Sequence, residues 1–372
     1  MADGTPTVNY GWIKPNVGAS ADVWGGEMNA NLDGIDATVY ALASSSGGGG
    51  SPYPQDNRII NGDMRIDQRN SGALGTASGV YTIDRWGYLG TVAGKLTWQR
   101  QASALPGFPY MLTFTSLSAY TSAANDYFYF DQPIEADMIS DFAWGTASAH
   151  PVTLSFWAIS SLTGTFSGTA NNQNSPFRSY PFTYSIPAAN TWTRITVTIP
   201  GDTAGAWNMT GNLIGLTIFF DLGCGANGRG PANAWGTGNL VGANGAASLV
   251  ATNGATLSLT GVKLEIGSVA TPFNRQSLAK SMADCQRYYQ VLGGAQILVA
   301  GYNGAGSGIN NCLPYPVVMR ASPTVTFSGV TYANASSLTT GGVTSNMVTT
   351  QCLITALGSG YAIGTMQMSA EL

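Results

Sequence analysis

Hydrophobic and polar residues alternate along several short segments of the chain between residues 152 and 266. In 152–156, 195–199 and 257–266 nearly every second residue is apolar, and turn residues such as Gly, Pro and Asn lie between the segments. Period-two alternation is typical of strands with one buried face. The alternation changes phase at Gly261, which predicts a β-bulge there. We therefore predict a mainly β chain, with an antiparallel jelly-roll sandwich spanning 57–275.

A different periodicity precedes the sandwich. Residues 22–43 carry apolar side chains at spacings of four and three, which predicts a helix with a heptad seam. Because no neighbouring element of the same chain is predicted to cover this stripe, we expect a short coiled coil formed by self-association. The stripe alone does not fix the number of helices. The predicted seam residues are Trp24, Met28, Leu32, Ile35, Val39 and Leu42.

The segments around this helix predict how the chain is divided. Residues 5–19 are too short and too rich in Gly and Pro to fold alone, so we expect Tyr10 and Trp12 to pack on another chain as a docking arm. The sequence SSSGGGGS at 44–51 is typical of a flexible linker. We predict an attachment arm and helix at 1–46, a linker at 47–56, the sandwich at 57–275 and a final domain at 276–372.

The final domain begins with a second heptad-like stripe. Residues 276–292 lie between Pro272 and Gly293-Gly294, and they predict a helix near the axis of an oligomer. A single amphipathic helix packed on a sheet is the alternative. A small β domain, with little apolar material for its own core, follows from residue 295. The second seam would comprise Leu278, Met282, Cys285 and Tyr289.

Charge excludes several classes of partner. Only 9% of residues are charged and the net charge is -4, without the basic run that a phosphate backbone requires, so we expect no nucleic-acid partner. The chain contains no run of about 18 apolar residues, so we expect no membrane insertion. The first residues lack the basic and apolar regions of a secretory signal, so we expect synthesis in a cytoplasm.

Residue types that perform chemistry are sparse. His150 is the single histidine, and the acidic pairs Asp63 with Asp67 and Glu135 with Asp137 match no catalytic motif. The four cysteines form no Cys-x-x-Cys pair, so we interpret them as reduced thiols and leave a Cys312–Cys352 bridge open. We predict no catalytic residue, no metal and no cofactor.

Two tryptophans are candidates for binding a glycan. Trp207 and Trp235 lie in Gly-rich loop sequence, where an exposed indole could stack on a sugar ring. The competing interpretation is that both pack on their own domain, which is the commoner fate of a loop tryptophan. Two coplanar exposed rings would favour the binding interpretation.

Several segments, in order, resemble one family. GWIKP at 11–15 and WGGEMNANLDGID at 24–36 resemble the starts of tailed-bacteriophage fibre and appendage proteins. Segments of the predicted sandwich are similar to a β domain of phage tail fibres, whose strands look like carbohydrate-binding jelly rolls. CQRYY at 285–289 and MRASPT at 319–324 resemble the segment that closes such proteins. The similar sandwich segments are RIINGDM at 58–64, DRW at 84–86, LSFW at 154–157, WTRITVTIPGD at 192–202 and LEIGSVATPF at 264–273.

The resemblance implies a tail fibre or another virion appendage, such as a collar or head fibre. Such a subunit would be a homotrimer that docks on baseplate, tail or neck proteins through 1–46 and contacts a host-surface glycan through its β domains. Two alternatives stay open. One is a head- or neck-decorating fibre without receptor binding, and the other is a polysaccharide depolymerase, which needs two carboxylates about 5–9 Å apart in a groove.

Overall fold

The computed structural model describes residues 4–6, 13–15, 28–29, 32–37 and 57–372. Strands β1 (Gly4–Pro6) and β2 (Ile13–Pro15) pair antiparallel, while 28–29 and 32–37 are helical. Met28 and Ile35 are exposed and Leu32 is half-buried. The docking arm and the first seam stay predictions, because several of their residues lie outside the described part of the chain. These residues are Tyr10, Trp12, Trp24, Val39 and Leu42, together with the linker 47–56.

Two antiparallel sheets form the predicted jelly-roll sandwich, with strands numbered in chain order. The seven-stranded sheet has the order β14-β10-β9-β12-β7-β4-β3, and the five-stranded sheet has the order β11-β8-β16-β6-β5. The strands of the larger sheet are β3 (Val80–Ile83), β4 (Trp86–Gly90), β7 (Phe128–Glu135), β9 (Gly164–Asn171), β10 (Arg178–Ile186), β12 (Ile214–Asp221) and β14 (Gly236–Thr237). Those of the smaller sheet are β5 (Leu96–Ala102), β6 (Tyr110–Ser116), β8 (Val152–Ser160), β11 (Thr193–Ile199) and β16 (Thr256–Ile266).

Short elements connect these strands. A segment over the larger sheet contains β13 (Arg229–Gly230) and β15 (Gly242–Ala243), which pair parallel. The 3-10 helices are Ala136–Phe142, Ala226–Gly228 and Leu249–Ala251.

Aromatic rings fill the space between the two sheets. Phe130 of β7 stacks on Phe114 and Phe220, with ring centroids 4.7 and 4.8 Å away. All three rings are fully buried, as the alternating pattern of β7, β6 and β12 requires. Removing such a ring typically costs about 3–5 kcal/mol, so this stack is a main source of the sandwich's stability.

The β-bulge predicted at Gly261 is confirmed. The pairing of β16 with β8 shifts register between Thr260 and Lys263. Gly261 has a φ of +64°, and a Cβ atom there would lie 2.7 Å from the ring of Phe108. Glycine therefore provides both the left-handed backbone conformation and the space that the bulge needs.

The second predicted helix is shorter than its sequence pattern indicated. It spans Leu278–Gln286, and Ser277 caps it by accepting a hydrogen bond from the amide of Lys280. Tyr289 instead begins a strand, because its backbone pairs with Ser369. The helical bounds 276–292 were therefore wrong.

The prediction that the second seam faces another subunit is wrong for two of its four residues. Cys285 and Tyr289 are buried inside this single chain, so they are not available to a neighbouring subunit. Leu278 is exposed and Met282 is half-buried, and a role of these two residues in an oligomer stays a prediction. The four-three spacing was misleading because it continued from a helix into a buried strand.

Two three-stranded sheets form the rest of the C-terminal domain. One has the order β17-β22-β19 and the other β18-β21-β20. Their inner faces enclose a small core around Leu298, Met366 and Met368. The strands are β17 (Tyr289–Asn303), β18 (Gly308–Pro314), β19 (Thr324–Ala333), β20 (Ala335–Val343), β21 (Met347–Ile354) and β22 (Gly358–Ser369).

Ionic side chains join the C-terminal domain to the sandwich. Glu371 pairs with Arg69 at 2.6 Å and also with the buried Arg85. Glu135 at the end of β7 pairs with Arg287 at 2.8 Å and lies 3.4 Å from Arg320. The side chains of Glu135 and Glu371 are only 3% and 8% exposed, so largely buried ion pairs connect the two domains.

Candidate functional site

The two tryptophans predicted as glycan contacts lie together at one end of the sandwich. The ring of Trp207 is 4.7 Å from that of Trp144, and the ring of Trp235 is 5.2 Å from it. Trp207 and Trp235 are themselves 5.5 Å apart. The sequence did not mark Trp144, which is buried and forms the centre of this aromatic cluster.

The aromatic cluster is locked by its own hydrogen bonds. The indole N–H of Trp207 donates to Asp202, and that of Trp235 donates to the carbonyl of Pro200. Arg178 holds Asp202 with two hydrogen bonds of 2.8 and 2.7 Å. The planes of Trp207 and Trp235 are 85° apart, so the two half-buried rings do not form a flat stacking platform.

The acidic pairs that could have supported hydrolysis are largely engaged. Asp63 pairs with Arg65 at 2.7 Å and with Arg275 at 3.1 Å. Asp67 accepts hydrogen bonds from the amides of Asn70 and Gly72. Glu135 pairs with Arg287. Of these four acidic residues, only Asp137 is exposed. The geometry gives no support to a paired-carboxylate mechanism.

The outer face of the seven-stranded sheet carries a row of residues that the sequence did not indicate as functional. Strand register places Tyr81 beside Gly87, Gly87 beside Asp131, Asp131 beside Phe219, and Phe219 beside Thr169. These five residues form one row across the sheet, because residues opposite each other in a ladder point to the same face. We call this row the floor of the outer face.

Asp131 is the charged residue at the centre of this floor. Within the described part of the chain, its carboxylate has no hydrogen-bond or ion-pair partner. Desolvation raises the pKa of Asp131 to about 7, and the opposing effect of Arg85 does not reverse the rise. An unpaired, poorly hydrated carboxylate is costly, and it is typical of a place where a ligand supplies donors.

Other polar groups near Asp131 are also unpaired. The hydroxyl of Thr169, in the same row, is buried without a hydrogen-bond partner. Thr217, beside Pro133 in the adjacent row, has a hydroxyl in the same condition. Both threonines are almost fully buried, so Asp131 and Tyr129, which are partly exposed, are the polar groups of this face that a ligand can reach.

The floor lies between two other parts of the chain. On one side, the hydroxyl of Tyr81 donates to the carbonyl of Leu372 at 3.1 Å, which brings the last residue of the chain to the sheet. On the other, Val241 packs on Phe219, and Phe219 meets the half-exposed Tyr129 edge to face at 4.9 Å. The floor is therefore an aromatic and polar strip between the C-terminal residues and the segment that carries β15.

A separate cleft of about 430 Å³ lies between the start of the sandwich and the helix Leu278–Gln286. Asp63, Arg65, Glu135 and Arg287 line it, and their charges are already paired with one another or with nearby residues. The described residues include no cluster of His, Cys, Asp or Glu suited to a metal ion. No helix among them has the length and hydropathy to span a membrane.

Comparisons with known proteins give only distant likenesses. No protein-family model and no curated protein matches the chain. Among solved structures, the enzymatically active domain of tailspike protein 4 from bacteriophage CBA120 is 13% identical, with a TM-score of 0.32 over 58% of this chain and 22% of that one. A family 11 carbohydrate-binding module from Clostridium thermocellum, in complex with a mixed-linked tetrasaccharide, is 9% identical. Its TM-score is 0.28, over 53% of this chain and 98% of that one.

A CBM4 structure is similar at the same level. It is 13% identical, with a TM-score of 0.31 over 56% of this chain and 99% of that chain. At these identities and scores the likenesses assign no ligand, and any ligand of this chain has to be argued from its own residues.

Proposed function

We propose that this chain is a virion fibre or appendage subunit of a tailed phage, and that its sandwich binds a glycan on the outer face of the seven-stranded sheet. The glycan-binding part of the proposal rests on Asp131. Its unpaired carboxylate is partly exposed and lies in a row with Tyr81 and beside Tyr129. Sugar hydroxyls donate to carboxylates, and the apolar face of a sugar ring packs on aromatic side chains.

Hydrogen bonds to a charged group explain why Asp131 would dominate the affinity. Such bonds are worth about 1.5–3 kcal/mol, roughly twice a neutral bond. A ligand hydroxyl would replace the water that the sheet partly excludes from Asp131. Binding without cleavage fits the site, since the acids Asp63, Asp67 and Glu135 are engaged elsewhere.

The virion part of the proposal rests on the order of the resembling segments along the chain. In this proposal, residues 1–46 dock on baseplate, tail or neck proteins, and the β domains project toward the host surface. The subunit is a homotrimer located in the virion. Immunogold labelling of purified phage particles with an antibody against the C-terminal domain tests the location, and unlabelled particles would contradict it.

A decorating fibre without receptor binding is the second candidate. The perpendicular arrangement of Trp207 and Trp235 favours it, because these rings stabilise their own loops and leave no flat platform. The two candidates differ in one measurable property, which is whether any glycan binds.

An array of neutral and acidic bacterial surface oligosaccharides tests the binding, followed by calorimetry with the best oligosaccharide found. We expect Asp131→Asn to weaken binding about tenfold or more, which corresponds to about 1.4 kcal/mol. Asp137→Asn is the matched control, because it removes one acid from an exposed position away from the floor. Equal affinities of wild type and Asp131→Asn would reject this site. Absence of binding across the array would favour the decorating fibre.

A further inference from the structure

The C-terminal domain has an unusual distribution of charge. Residues 288–372 contain two charged side chains, Arg320 and Glu371. About a quarter of the residues in an average soluble domain are charged. The whole chain is poor in charge, and this region is its extreme.

Both charged side chains of this region face the sandwich. Arg320 lies 3.4 Å from Glu135 and donates to the carbonyls of Ala370 and Asn212. Glu371 accepts from Arg69 and Arg85. The remaining surface of residues 288–372 therefore has no charged side chain.

One sheet of this domain presents an uncharged outer face. Register places Ile363 of β22 between Ile297 and Thr331, and Tyr361 between Ala300 and Ala333. Ile297 is 51% exposed and Tyr361 is 42% exposed. We call these six residues the neutral face.

The edge strands beside the neutral face carry no charge, although both contain a register irregularity. Strands β17 and β19 are the edges of their sheet, and neither contains a charged residue or a proline. Soluble proteins normally protect edge strands with charges, prolines or a covering element, because open edges pair with other chains. Long uncharged edges are expected where another chain covers them.

We propose that the neutral face is an interface between copies of this chain. A second copy fits better than a different partner, because the surface offers no charge for complementarity and the same uncharged face on both sides buries no unpaired ion. Interfaces of homo-oligomers are depleted of charge at their centre and enriched in apolar and aromatic residues. A closed ring of copies would also cover the uncharged edges. This inference rests on the homotrimer of the proposed function, and it is independent of the glycan site because it concerns another domain.

Mass measurement by light scattering tests the interface on the full chain. We expect a multiple of the 38.6 kDa chain mass for the wild type. The double variant Ile297→Glu with Tyr361→Glu should dissociate at least tenfold more readily, because it places carboxylates on both sides of the contact. Both positions are exposed in the single chain, so the variant should still fold. Leu74→Glu, at a position 62% exposed on the sandwich, is the matched control and should retain the wild-type mass.

Hydrogen exchange keeps the test decisive if the N-terminal helix also holds copies together. In that case the double variant keeps its mass, but the amides of β17 and β19 should exchange at least tenfold faster than in the wild type. A monomeric wild type would overturn the proposal. So would a double variant with unchanged mass and unchanged exchange. Glycan binding is measured on the same samples, so that a failure of the interface proposal can be told apart from a failure of the Asp131 site.

Discussion

The carboxylate of Glu135 accepts a hydrogen bond of 2.8 Å from Arg287, across the boundary between the sandwich and the C-terminal domain. Glu135 ends strand β7, and Asp131 lies four residues earlier on the same strand. The two acids face different environments. Arg287 and Arg320 surround Glu135, whereas Asp131 has no partner among the described residues. One strand thus carries a carboxylate that joins two domains and another that our proposal assigns to a ligand.

Neutralising Glu135 should weaken the junction between the domains. In Glu135→Gln the buried position keeps its shape but Arg287 and Arg320 lose their counter-charge. Loss of one partner of a buried ion pair costs up to about 3–5 kcal/mol, and we expect about 2–3 because Arg287 retains contact with water. Urea unfolding at neutral pH measures the change. Asp284→Asn, which breaks the exposed pair with Lys280, is the control and should cost less than about 1 kcal/mol.

Stability should respond to pH through Asp131. Its pKa is about 7 in the folded chain, against the ordinary 3.8 that we expect in the unfolded chain. Between these values the folded chain binds more protons, so the free energy of unfolding falls as the pH rises. The contribution of Asp131 to the free energy of unfolding is fully present below about pH 4 and is lost as the pH passes about 7.

Asp131→Asn removes this contribution and should therefore gain stability relative to wild type as the pH rises. We expect the difference in unfolding free energy to change by about 1–3 kcal/mol between pH 4 and pH 8, less than full burial would give, because the carboxyl retains some contact with water. Chemical denaturation at both pH values measures it. Asp137→Asn, at an exposed position, is the matched control. A constant difference for Asp131→Asn would mean that the carboxylate is well hydrated.

The alternating pattern was enough to predict the sandwich and the bulge at Gly261, because period and glycine position are local properties of the chain. The helix 276–292 was predicted too long, since the apolar residues Cys285 and Tyr289 kept a helical spacing while packing into different elements. Asp131 was missed for a related reason. Its importance comes from the register of β4, β7 and β12, which no local pattern specifies.

The aromatic cluster should contribute to stability rather than to glycan affinity. Trp207→Ala removes the contact with Trp144 and leaves one oxygen of Asp202 without its indole donor. We expect a loss of about 2–3 kcal/mol in urea unfolding, with glycan affinity within about twofold of wild type. Trp207→Phe, which keeps a ring, should restore part of the stability. A large loss of affinity without a loss of stability would instead place the ligand on the tryptophans.

Gly87 offers a way to disturb Asp131 without changing its charge. A Cβ atom at Gly87 would lie 2.6 Å from one carboxylate oxygen of Asp131, closer than real contacts allow. In Gly87→Ala the carboxylate must rotate away from its position over β4. We therefore expect glycan affinity to fall about tenfold, close to the effect of Asp131→Asn, because directional hydrogen bonds weaken steeply when their geometry is lost. Gly236→Ala is the matched control, since a Cβ there meets no atom within 4 Å. If Gly87→Ala binds like the control while Asp131→Asn is impaired, the ligand senses the charge of Asp131 rather than the position of its oxygens.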